Sequence, residues 1–127
     1  MKLKSNRKYI LCAFRDWLND QNLTPYIVLD AEFSGVDVPS GFIGSDGRLC
    51  LDVSTDMVRD FIVTETLLSF RAQFKGSVHT LKIPLAALEF ITCKEINSWV
   101  AWFGAFDDND MVQAPALPTK LRLEKDD

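Results

Sequence analysis

Between Leu67 and Leu88 the side chains switch character with almost every residue. Leu68, Phe70, Ala72 and Phe74 alternate with Ser69, Arg71 and Gln73, the period-2 pattern of a half-buried strand. Lys75-Gly76 supplies a reversal, since glycine accepts the positive φ of a tight turn. His79, Leu81 and Ile83 then alternate with Thr80 and Lys82, and Pro84 ends the second strand because it has no N–H to donate to a ladder. The pattern predicts a β-hairpin around which the other elements assemble.

Upstream the period changes to that of a helix. Ser5 or Asn6 can cap a helix from about Arg7 to Gln21, with Ile10, Phe14, Trp17 and Leu18 as one stripe. Tyr9, Leu11, Cys12 and Ala13 widen the apolar surface beyond that stripe. Two readings follow: a helix on the sheet with some apolar residues exposed, or a second face that meets another subunit. The width favours the second and makes Tyr9, Leu11, Cys12 and Ala13 the candidate dimer interface. Asn22 can take the left-handed conformation after the helix, and Thr24-Pro25 stops its continuation.

Tyr26 to Ala31 reads as a strand, and Gly35 to Pro39 as irregular or an edge. After the turn Ser45-Asp46-Gly47, Leu49, Leu51 and Val53 alternate with Cys50 and Asp52. Ser54 to Asp60 suggests a short helical turn before a strand Phe61-Ile62-Val63, and Glu89 to Cys93 a further strand. Asn97 to Phe103 is apolar enough for either a strand or a helix. One helix followed by short strands predicts a mainly β fold, a small bent antiparallel sheet or open Sm- or SH3-like barrel.

A chain of 127 residues has room for one core. Residues 1–110 are expected to be the folded domain. Residues 111–127, opening on the proline-punctuated VQAPALPTK, are expected to be a linker and tail. The net charge of −4 argues against nucleic acid as a partner, since phosphate binding needs a basic footprint. No apolar run approaches the ~20 residues that span a bilayer, and MKLKSNRKY lacks a signal-peptide core. A cytoplasmic location without a membrane partner is therefore expected. Cys12, Cys50 and Cys93 are odd in number and set among apolar neighbours, which points to buried free thiols. His79, the only histidine, sits where packing is the expected role. Asp52, Asp56 and Asp60 recur every four residues, but Arg59 lies among them and no calcium-loop spacing is present. No P-loop, GxGxxG, CxxC or Ser/His/Asp arrangement occurs, so neither enzymatic activity nor a cofactor or metal is expected.

The blocks NRKYILCAFRDWLNDQNLTPYIVLDA, GVDVP, LSFRAQFKG and IPLAAL, in this order and nearly without gaps, resemble the stringent starvation protein B (SspB) family. The likeness covers about residues 7 to 95, with one extra residue near Ser40 to Gly47. That family consists of bacterial adaptors that deliver ssrA-tagged proteins to the ClpXP protease. The resemblance implies an Sm/SH3-like fold, a homodimer joined through the N-terminal helix, and a groove for the tag between the Ser54–Asp60 loop and the Phe70–Phe74 strand. It implies peptide contacts at Met57, Val58, Ala72, Gln73 and Phe74. Arg59 and Arg71 are positioned to attract acidic tag residues, and Phe70 and Phe74 are either core residues or contacts. Independently, Met57 and Val58 beside a strand offer adaptable apolar pockets, while strand backbone can fix an extended peptide. The family commonly carries arginine where this chain has Gln73, which implies weaker binding or a different tag preference.

In the family a short basic-apolar C-terminal motif docks on the ClpX unfoldase. Leu121, Arg122, Leu123 and Lys125 match it, whereas Glu124 replaces an apolar residue. The residues from Met111 to Thr119 reach about 30 Å at ~3.5 Å each, a short tether that helps only if it spans both sites. The tail is thus either a docking element or a solvated terminus. Alternatives to the tag adaptor are an Sm-like RNA-binding barrel, which the acidic balance disfavours, and an adaptor of the same fold for a different degradation signal.

Overall fold

A computed structural model describes residues 4–96 and 98–103. Helix α1 (Arg7–Asp20) precedes strands β1 (Pro25–Asp30), β2 (Arg48–Asp52), β3 (Val58–Val63), β4 (Leu67–Phe74), β5 (Ser77–Pro84), β6 (Leu88–Cys93) and β7 (Ser98–Trp102). Short 3-10 turns occupy Ser40–Phe42 and Leu85–Ala87. The strands form two antiparallel sheets, β2-β1-β6-β7 and β3-β4-β5. No ladder joins the two sheets into a closed barrel among the described residues, so the mainly β, open arrangement expected from the pattern holds.

The β4–β5 hairpin sets the register. Phe74 pairs with Ser77, leaving Lys75 (φ 50°) and Gly76 (φ 81°) as a two-residue turn with both φ values positive, the combination whose twist matches flanking strands. With this register Leu68 and Phe70 face Ile83 and Leu81 across the ladder, and all four are buried. They meet Ile27, Leu29, Leu49, Leu51 and Ile91 from the other sheet in one core cluster, so the two sheets bury their apolar faces against each other. Gly47 (φ +78°) turns the chain into β2 beneath Glu32, whose Cδ lies 2.8 Å from where a Cβ would sit.

Helix α1 is docked by polar as well as apolar contacts. Arg7 Nη1 donates to the carbonyls of Leu85 (2.9 Å) and Leu88. Arg15 Nε donates to the Val53 carbonyl at 2.7 Å. The Arg15 guanidinium also lies 3.8 Å from the centroid of Phe61, and Phe61 stacks on Phe70 with centroids 5.9 Å apart. Cation, ring and core are thereby linked in one column. At the N-terminus, Ser5 Oγ accepts from the Arg7 N–H at 3.2 Å, while Asn6, the N-cap residue, makes no side-chain cap bond.

Several expectations are corrected. The helix face that enters the core is centred on Leu11 and Leu18, both 0% exposed, with Ile10 and Phe14 partly buried beside them. Leu11 therefore lies in the core and not on an outer interface, whereas Trp17 is 51% exposed and drops out of the buried stripe. The two apolar stripes share the same helical period, so periodicity alone did not say which one the sheet covers. Strand β3 starts at Val58, three residues earlier than expected, because Ser54 closes only one turn by accepting from the N–H groups of Met57 and Val58. Of the free cysteines, only Cys93 is buried, Cys12 being partly covered and Cys50 exposed. Cys50 alternates with the inward Leu49 and Leu51, which turns it to the outer face. Residues Ser98–Trp102 form a strand against β6. The 110/111 boundary and Leu121, Arg122, Leu123 and Lys125 lie outside the described residues.

Glu95 pins the α1–β1 connection to the end of β6. Its carboxylate accepts from Thr24 Oγ1 and from the Thr24 N–H, each at 2.7 Å. Those bonds, led by the hydroxyl, hold the carboxyl down to about 2 from its ordinary 4.5. A depressed folded pKa contributes stability that is full above the ordinary value and disappears as pH falls through the folded one. The thermal midpoint of wild type should thus exceed that of Glu95→Gln above pH 4.5 and converge with it as pH approaches 2. A difference between the two that is constant with pH would refute this.

Candidate functional site

Strand β3 does not run the full length of β4. Its first residue, Val58, pairs with Ala72, while Gln73 and Phe74 pair with β5 alone among the described strands. The chain before Val58 turns away through the Ser54–Val58 helical turn. Beyond Ala72, one backbone edge of β4 thus has no partner among the described residues, the arrangement that lets an extended peptide add to a sheet.

A groove of about 290 Å³ lies there, lined by Asp56, Met57 and Arg59 from the turn and early β3, by Arg71, Ala72 and Gln73 from β4, and by Val78 from β5. Met57 is 57% exposed and Val78 62% exposed, giving the groove two uncovered apolar side chains. Arg71 and Gln73 lie on the outer face of β4 and Ala72 is half-buried. A small residue at Ala72 leaves room beside it, so its size matters more than its chemistry.

Both arginines of the groove are already engaged. Arg59 Nη1 donates back to the carbonyls of Thr55, Asp56 and Val58 at 3.1–3.4 Å, covering the C-terminal end of the helical turn. Arg71 Nε lies 2.7 Å from Asp60 Oδ2. Asp52 accepts from the Ser54 N–H at 2.9 Å, so Asp52 and Asp60 serve separate purposes. No cluster able to hold a metal ion occurs among the described residues.

Of the candidate peptide-binding residues, Met57, Arg59, Arg71, Ala72 and Gln73 come together in the groove. Val58 and Phe70 do not: they are 4% and 1% exposed and belong to the core, so both are corrected to structural roles. Their strand positions point inward, where the second sheet covers them. Phe74 is half-buried at the hairpin tip, with ring centroids 5.0 Å from Phe42 and 5.8 Å from His79. His79 is exposed and packs edge-on to Phe74. Asp56 and Val78 were missed as lining residues. An apolar Val78 opposite Gln73, on the otherwise polar face of the hairpin, was the available signal.

A second exposed apolar surface runs along α1. Tyr9 is 68% exposed, Ala13 is exposed and Cys12 partly so, and the spacings of three and four residues put them on one side of the helix. No described helix is long and apolar enough to cross a membrane.

A model of the family described as stringent starvation protein B matches residues 5–121. This chain belongs to the stringent starvation protein B family. The stringent starvation protein B homolog of Haemophilus influenzae is 38% identical over 97 residues, which cover 75% of this chain and 64% of that protein. The chain thus spans just under two thirds of that relative's length. The family match takes in α1, both sheets and the groove.

Core and groove members of the candidate set should separate by stability. Phe70→Ala is expected to cost about 3–5 kcal/mol of unfolding free energy, and Met57→Ala no more than about 0.5 kcal/mol. Denaturant titration measures both, and equal costs would contradict the placement of either residue.

Proposed function

We propose that this protein is a non-enzymatic adaptor that binds ssrA-type degradation tags in the groove beside Met57 and Ala72 and delivers the tagged proteins to the ClpXP protease. The observation that carries this reading is the open β4 edge at Gln73 and Phe74, flanked by the exposed Met57 and Val78. An extended peptide gains main-chain hydrogen bonds there and fills adaptable apolar pockets. Family membership supports the same reading. Delivery falls to the C-terminal residues Leu121, Arg122, Leu123 and Lys125, which match the ClpX-docking pattern of the family. In this reading the protein works in the cytoplasm as a homodimer joined through Tyr9, Cys12 and Ala13, which presents two grooves to one unfoldase and raises the effective concentration of substrate.

Ala72→Gln should fill the groove and lower affinity for an ssrA peptide at least about tenfold, since overpacking beside a strand blocks close backbone approach. Fluorescence anisotropy measures this, and unchanged affinity would remove the peptide from this site. Removing residues 120–127 should leave peptide affinity intact and abolish faster ClpXP degradation of a tagged substrate. Undiminished stimulation by the truncated protein would rule out the tail as the docking element.

Ala13→Asp places a charge on the exposed side of α1 and should give a folded monomer by light scattering. A dimer of unchanged mass would place the interface elsewhere. Leu11 is unsuited to this test, because a charge in the core would unfold the domain.

A further inference from the structure

Asp60 is one of three non-glycine residues with positive φ among the described residues, at 55°. It lies where the β3–β4 register breaks between Arg59 and Ile62, and such a bulge re-aims the side chain it carries. That side chain reaches across to Arg71, Nε to Oδ2 2.7 Å, although Asp60 itself does not line the groove. Arg59, the other cation of the groove, is turned back onto three carbonyls of its own loop. Gln73 is uncharged and Asp56 adds a carboxylate to the wall. Two arginines therefore stand with two aspartates, and the groove with its rim carries no net charge.

We propose that Asp60 is a positioning residue that determines which peptides the groove accepts: it engages Arg71 Nε as an internal carboxylate, so an acidic peptide residue must share the guanidinium with it or displace it. This rests on the reading of the groove as a tag-binding site. Both partners are more than half exposed, Arg71 at 52% and Asp60 at 60%, so the pair is weak enough to exchange. A displaced Asp60 nevertheless stays tethered beside the incoming carboxylate and repels it. A peptide that offers amides in place of carboxylates leaves the Asp60–Arg71 pair intact. The groove thus discriminates against acidic peptides relative to their amide counterparts, and Asp60 sets the ratio.

Asp60→Asn removes the charge while keeping a residue that tolerates the left-handed backbone, and Asp60→Gly serves if the first variant folds poorly. The probes are an ssrA peptide and a counterpart in which every Asp and Glu is replaced by Asn or Gln, titrated by fluorescence anisotropy at two salt concentrations. Asp60→Asn should tighten the acidic peptide about threefold, leave the amide peptide within error, and make acidic binding more salt-sensitive. Adding Arg71→Gln should erase the gain. Equal tightening of both peptides, or none, would overturn the proposal while leaving the tag-site reading in place. Failure of folded wild type to bind either peptide would overturn that reading and the proposal with it.

Discussion

The register of the β4–β5 hairpin is the constraint on which the rest of the structure depends. In a strand the side chains alternate strictly, so a slip of one residue would exchange the two faces. The Lys75-Gly76 turn, with both φ values positive, pairs Phe74 with Ser77 and so turns Leu68 and Phe70 inward and Arg71 and Gln73 outward. Core and groove are two faces of one ladder. A change that shifted the hairpin would unfold the first and erase the second together.

The second sheet and the helix close that core from different directions. Apolar burial against β1, β2 and β6 is unspecific in direction, whereas the arginine contacts are specific. Arg7 and Arg15 each donate to main-chain carbonyls outside the helix, and the Arg15 cation caps the Phe61–Phe70 stack. Those bonds fix the rotation of α1. Leu11 and Leu18 face inward as a result, while Tyr9 and Trp17 remain outside. The chemistry available on the outer face of the helix therefore follows from two hydrogen-bonded arginines on its inner side.

The groove arises from an incomplete pairing. Where β3 begins at Val58, the β4 edge beyond Ala72 loses its neighbour, and the helical turn before Val58 holds Met57 out beside it. An unpaired edge is ordinarily a hazard for association, and here it lies beside two arginines that are already engaged. Backbone bonding and apolar contact, rather than net charge, are what such a surface offers to a peptide.

The amino-acid sequence by itself determined the elements whose signals are local. The period-2 run, the Lys75-Gly76 reversal, the stop at Pro84 and the left-handed Asn22 (φ 58°) all follow from backbone and side-chain sterics within a few residues. The spaced blocks sufficed for the family, and the resemblance pointed to Met57, Ala72 and Gln73 of the groove lining, whereas Arg59 and Arg71 were legible from their charge. Tertiary structure decided what local pattern leaves degenerate. Which of two apolar helix stripes enters the core depended on where Leu85, Leu88 and Val53 present their carbonyls. Whether Val58 and Phe70 pack or bind depended on the second sheet covering them. The partnering of Arg71 by Asp60 required a bulge that no periodicity announces, because an extra residue in one strand acquires meaning only against its partner.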